Sequence, residues 1–123
     1  MSSFAALQYR RTNLTTASPT QVVVLLYEGA IRFLREGIDE HARGNVDKRG
    51  LAFSRAHAIV SELAITLDHE RAPELSAELA RLYEFVLRRI TEATLKNDAA
   101  HARPAIDVLC RLHSAWSEIA QPS

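Results

Sequence analysis

The sequence predicts an all-α protein, an antiparallel up-down four-helix bundle preceded by an irregular N-terminal arm. Three observations predict it. Ala, Leu, Arg and Glu, all strong helix formers, dominate the chain. Only four glycines and four prolines punctuate 123 residues, so the elements must be long. No Asn-Gly or Asp-Gly hairpin signal occurs, and no β-branched run extends beyond Val22-Val23-Val24.

Residues 1–17 are polar and unperiodic apart from Phe4, Leu7, Tyr9 and Leu14, and read as an arm without regular structure of its own. The bundle domain follows over residues 18–120. Its first helix opens at Ser18-Pro19-Thr20-Gln21. Ser18 can cap, Pro19 takes the first helical position where its missing N–H costs nothing, and Gln21 can close a capping box. The stripe Val23, Leu26, Tyr27, Ala30, Leu34 and Ile38 has helical spacing. Val24 and Ile31, with Leu25 as a further candidate, lie off it, so this helix is apolar on more than one face. It ends near Arg43-Gly44, with Gly44 as a left-handed cap.

The second helix starts at Asn45 or Asp47 and runs to about His69, on the stripe Ala52, Phe53, Ala56, Ile59, Val60, Leu63 and Leu67. Gly50 near its first turn costs about 1 kcal/mol relative to alanine. Pro73 opens the third helix, with Leu75, Leu79, Leu82, Tyr83, Val86, Ile90 and Ala93 on one face, and Lys96-Asn97-Asp98 breaks it. The fourth carries Ile106, Leu109, Leu112, His113, Trp116 and Ile119. Pro104 leaves two readings there: a start near Ala102, or a start at Asp98 with a disturbance at the proline. Short connections between helices of about 20 residues favour antiparallel neighbours and a bundle roughly 30–35 Å long. No repeat at a solenoid period is visible.

Fifteen basic and fifteen acidic residues cancel, which argues against a partner held by phosphate neutralisation and against a polybasic membrane-surface protein. The longest apolar run, Val22 to Tyr27, is far short of the ~20 residues that span a bilayer, and no signal peptide opens the chain. A single cysteine, Cys110, fits a reducing cytoplasm. Thirteen of the fifteen basic residues are arginine, which favours a protein partner over a nucleic acid despite Arg10-Arg11, Arg88-Arg89, Arg32 and Arg35.

The chemistry of catalysis is not visible. A di-metal bundle needs Glu-x-x-His pairs on facing helices, and no histidine has Glu three residues before it; Asp98-x-x-His101 is the nearest approach. His69-Glu70 lacks the second histidine of a zinc helix. Cys110 and His113, one turn apart, read as core or boundary packing, and the carboxylates Glu36, Asp39 and Glu40 as a solvated face. No glycine-rich phosphate loop or nucleophile elbow occurs. The expectation is a protein that is not an enzyme and uses no metal or cofactor.

The stretch Thr16-Ala17-Ser18-Pro19, followed by Leu25-Leu26-Tyr27-Glu28-Gly29-Ala30-Ile31, resembles the start of the flagellin export chaperones, the FliS family. The likeness continues through Arg55-Ala56 with Ile59 and Glu62-Leu63, Leu67-Asp68-His69-Glu70, Leu82-Tyr83 and Ala115-Trp116, from about Tyr9 to Ala120. The chain departs from the family's pattern at Ala93-Thr94, at Gly37, where an alanine is common, and at Pro104.

The resemblance implies a cytoplasmic export chaperone of bacterial flagellum biogenesis. Such a protein binds the disordered C-terminal segment of flagellin, prevents premature polymerisation and delivers its client to a component of the flagellar type III export gate. It also implies partner-binding positions at Tyr9 and Leu14 on the arm and Tyr27 and Tyr83 on the bundle, and Leu7 joins them as an apolar anchor of the arm. Val24 and Ile31 join them as apolar residues off the main stripe; they either line a groove or are covered by the arm and other helices. For each tyrosine, packing with a bonded hydroxyl is the alternative. The arm, with its apolar anchors, can lie in the same groove when no client is bound. No nucleic acid and no membrane insertion are expected, and the free protein is a monomer or weak homodimer. The rival reading is a self-associating structural or signalling bundle with no export client.

Overall fold

The computed structural model describes residues 18–120; the arm, with Leu7, Tyr9 and Leu14, lies outside the described residues. Four helices follow in order: α1 (Pro19–Ala42), α2 (Val46–Ile65), α3 (Pro73–Leu95) and α4 (Arg103–Ala120), the last preceded by a 3-10 turn over Ala99–Ala102. Helix α1 packs on α2 and α4, and α3 packs on the same two, so α1 and α3 stand diagonally across the bundle. The core between them holds Leu34, Phe53, Val60, Leu63, Val86, Ile90 and Leu109.

Local chemistry sets the helix ends. Ser18 and Gln21 form the reciprocal capping box: the Gln21 N–H donates to Ser18 Oγ at 3.2 Å, and the Ser18 N–H to Gln21 Oε1 at 2.9 Å. At the other end of α1, Gly44 adopts φ 78°, its N–H donates to His41 O, and the Asn45 N–H donates to Glu40 O. That pair of bonds is the Schellman closure, for which glycine carries no Cβ penalty. Asn97, at φ 51°, repeats the closure after α3, with Asp98 N–H donating to Ala93 O.

Two boundaries differ from the expectations. Helix α2 stops at Ile65 rather than near His69. Thr66 Oγ1 donates to Leu63 O, and Asp68 then organises a turn in which its carbonyl accepts from Ala72 N–H and from Ser76 Oγ. These side-chain bonds outcompete continuation of the helix. At α4 the Asp98 side chain caps Ala100 N–H and starts the 3-10 turn, after which the α-helix begins at Arg103. Pro104 therefore sits in the first turn, where no helical N–H is needed.

Gly37 explains one departure from the family's sequence. A Cβ at Gly37 would overlap the Phe53 ring, so α1 and α2 approach here only because the side chain is missing.

Candidate functional site

The register of the helices decides which apolar residues end up together. Between α1 and α2 it is set by Gly37 against Phe53 and by His41 against Arg49. Between α1 and α4 it is set by Glu28 against His113 and by Arg35 against Cys110. Both pairings are antiparallel, so the start of α1 lies beside the end of α2 and the end of α4.

At that end the described residues leave apolar side chains incompletely covered. Val22, Val23, Val24, Leu25 and Leu26 are all half-buried, Val23 and Leu26 against the core, and the first buried residue of α1 is Tyr27. Around this run stand Ile119, 67% exposed, and Ile65, 76% exposed, with Leu75 at the start of α3 also exposed. Leu112 and Trp116 are half-buried beneath them against the core. Large apolar side chains left in water, as Ile65, Leu75 and Ile119 are among the described residues, are costly unless something covers them.

Beneath this surface lies a polar pair. Tyr27 has no exposed surface and Tyr83 almost none, and their hydroxyls are 2.6 Å apart, one donating and the other accepting. The rings are tilted by 50° with centroids 6.4 Å apart. Burial, reinforced by the Tyr83 hydroxyl, pushes the Tyr27 phenol far above the usual tyrosine range, while the Trp116 indole N–H acts in the opposite sense. Burial also raises Tyr83, with the Tyr27 hydroxyl partly offsetting it. Both phenols are therefore neutral packing elements that join α1 to α3 across the diagonal.

Of the positions singled out in the sequence, the structure brings Tyr27 and Tyr83 together in the core, where ordinary packing with a bonded hydroxyl describes both. Val24 is half-buried in the Val22–Leu26 run, and Ile31 is buried one turn beyond Tyr27. Sequence reasoning did not mark Ile65, Leu75 or Ile119 as surface residues, nor Trp116 as lying beneath them. The signal available for Trp116 and Ile119 was the antiparallel topology, which puts the end of the fourth helix beside the start of the first.

The chemistry elsewhere is structural. No group of three His, Cys, Asp or Glu side chains among the described residues is arranged to hold a metal ion. Cys110 faces the Arg35 guanidinium at 3.8 Å, and His113 faces Glu28 at 3.8 Å. Arg32 and Arg55 stack over the Phe33 ring at 5.2 and 5.7 Å. At the far end Arg49 is only 7% exposed and donates to His41 Nδ1 and Asn97 Oδ1. Because a guanidinium only donates, His41 accepts at Nδ1 and carries its proton on Nε2. No helix among the described residues is long and apolar enough to cross a membrane.

The sequence profile of the family described as "Flagellar protein FliS" matches residues 1–123. The chain is 32% identical over 108 residues to the flagellar secretion chaperone FliS of Vibrio cholerae, covering 88% of this chain and 79% of that one. It is 32% identical over 105 residues to FliS of Salmonella typhimurium, covering 85% and 78%. With the flagellar secretion chaperone FliSB of Pseudomonas aeruginosa the identity is 29% over 119 residues, covering 94% of each.

Proposed function

The chain belongs to the FliS family of flagellar secretion chaperones, which is not an enzyme family, and from that premise we propose that it binds the C-terminal segment of flagellin in the cytoplasm. It keeps that segment from polymerising prematurely and hands it to a component of the flagellar export gate. The observation that carries this reading is the incompletely covered apolar end of the bundle. Five successive apolar residues, Val22 to Leu26, are incompletely buried at the end of the bundle where Ile65 and Ile119 are exposed.

A client that is disordered when free loses conformational entropy as it docks. Burial of apolar area is the main term that can offset this loss, at about 25 cal/mol per Å². The apolar side chains left incompletely covered at that end supply such area to a docked segment. In this reading Val24 and Ile31 form or support the groove. Tyr27 and Tyr83 act from below by fixing α1 against α3, and Leu7, Tyr9 and Leu14 of the arm compete for the same surface.

Calorimetric titration with flagellin tests the reading. Full-length flagellin binds with a negative heat-capacity change, the mark of buried apolar surface. Flagellin lacking its C-terminal tail does not bind. Equal affinity for the two forms overturns the proposal.

A further inference from the structure

The far end of the bundle is held by a buried cation that pairs with no carboxylate among the described residues. Arg49, near the start of α2, is 7% exposed, and its buried Nε has no hydrogen-bond partner there. Both of its acceptors are neutral: Nη1 donates to His41 Nδ1 at 3.1 Å and to Asn97 Oδ1. Through them one side chain ties the last turn of α1, the start of α2 and the left-handed residue that closes α3. A buried charge is costly to desolvate, so the guanidinium depends on these two acceptors.

Carboxylates are present on the same turns but are engaged elsewhere. Glu40 accepts from the Asn45 amide and from Arg43, and the Asn45 bond holds its carboxyl below the usual carboxylate range. Glu92 faces Arg89, Lys96 and His101. Asp98 caps Ala100 N–H and faces His101 at 3.9 Å. Asp39 on α1, Asp47 and Lys48 on α2 and Arg103 on α4 form no ion pair among the described residues. His41 therefore meets a cation with no anion between them.

We propose that His41 and Arg49 form an acid-released latch, in which a proton taken up on His41 Nδ1 abolishes the acceptor and frees the start of α2 from the end of α1. A doubly protonated imidazole only donates, and it would stand 3.1 Å from a guanidinium that also only donates. The displaced ring has a place to turn to, because the carbonyl end of α1 attracts a cation. Arg49 then keeps Asn97 alone, and the start of α2 opens together with the closure of α3 as one local unit. His101 and His113 respond in the opposite sense. They stand 3.5 Å from Glu92 and 3.8 Å from Glu28, so a proton there adds attraction. The latch is closed above the range near pH about 6.5 where histidines take up a proton, and it opens as pH falls through that range. It lies at the other end of the bundle from Val22–Leu26, so the inference does not depend on what binds there.

Hydrogen exchange of the full chain at about pH 7.5 and about pH 5.5, corrected for the intrinsic pH dependence of exchange, is the test. A lost hydrogen bond to a charged group corresponds to about tenfold or more in an opening equilibrium. In the wild type, protection over residues 41–50 and 94–98 falls by at least that factor on acidification, while residues 22–34 keep theirs. His41→Gln offers an acceptor that takes up no proton, and it abolishes the difference. Arg49→Met removes the buried charge, which an apolar side chain of similar reach replaces without unfolding, and it abolishes the difference although His41 still titrates. Side-chain nitrogen NMR of the wild type finds His41 with its proton on Nε2 at the higher pH. A proton on Nδ1 overturns the proposal, as does a wild type with no difference at the far end, or a difference that either variant retains.

Discussion

Tyr27 of α1 and Tyr83 of α3 meet hydroxyl to hydroxyl at 2.6 Å in the interior of the bundle, joining two helices that do not otherwise neighbour each other. Tyr27 directly follows the Val22–Leu26 run in α1, so the placing of that run depends on a buried polar contact. Replacing Tyr83 with Phe leaves the Tyr27 hydroxyl without that partner and costs about 1–3 kcal/mol in urea unfolding. The double change to Phe costs less than the sum of the two single changes, because the orphaned group is gone as well. Strict additivity would show that the bond contributes nothing.

The same pair gives a pH dependence at the alkaline side. Both phenols are raised in the folded state, so above pH about 10 the unfolded chain loses these protons before the folded one does. The unfolded state then binds fewer protons, and stability falls as pH rises. Their stabilising contribution is complete below the unfolded value near 10 and is lost progressively above it. Phenolate absorbance from Tyr27 and Tyr83 therefore appears together with loss of helical circular dichroism. Ionisation of all three tyrosines near pH 10 with the fold intact would contradict this.

Gly37→Ala tests the close approach of α1 and α2. Alanine gains about 1 kcal/mol of helix propensity, but its methyl overlaps the Phe53 ring, and overpacking costs about 1–3 kcal/mol. Net destabilisation is expected in chemical denaturation. Adding Phe53→Leu to Gly37→Ala restores part of the loss, whereas Phe53→Leu alone in the wild type opens a cavity and destabilises. A stabilising Gly37→Ala on its own would refute the packing argument.

Ile119→Glu places a charge at the incompletely covered apolar end of the bundle. Because Ile119 is largely exposed, thermal stability changes by no more than about 0.5 kcal/mol. Affinity for the flagellin tail falls by about tenfold or more, since each 1.4 kcal/mol of lost binding energy is a factor of ten. Unchanged affinity would move the client surface elsewhere on the bundle.

Deleting residues 1–8 removes Leu7 and raises apparent affinity for the client, because an occluding segment lowers affinity by the fraction of time it covers the site. Weaker binding after the deletion would instead assign the arm a direct contact with the client. Titration of both forms with the same flagellin fragment decides between them.

The sequence by itself determined the helices, because their ends are local chemistry. Ser18 and Gln21 sit three residues apart, Gly44 supplies a left-handed residue, and Pro73 opens a helix; each acts within one turn of chain. The later stop expected for α2 failed for a related reason: Thr66 and Asp68 divert the backbone through side-chain bonds that apolar periodicity does not record. The excess of apolar residues at the start of α1 was legible too, though not what it meets. Tertiary structure alone decided that Tyr27 and Tyr83 face each other rather than solvent, that Gly37 accommodates Phe53, and that Ile65 and Ile119 are exposed among the described residues. Helical periodicity fixes the face a residue occupies on its own helix. Burial is fixed by the register and diagonal placement of four helices, contacts between positions as far apart in the chain as 27 and 83.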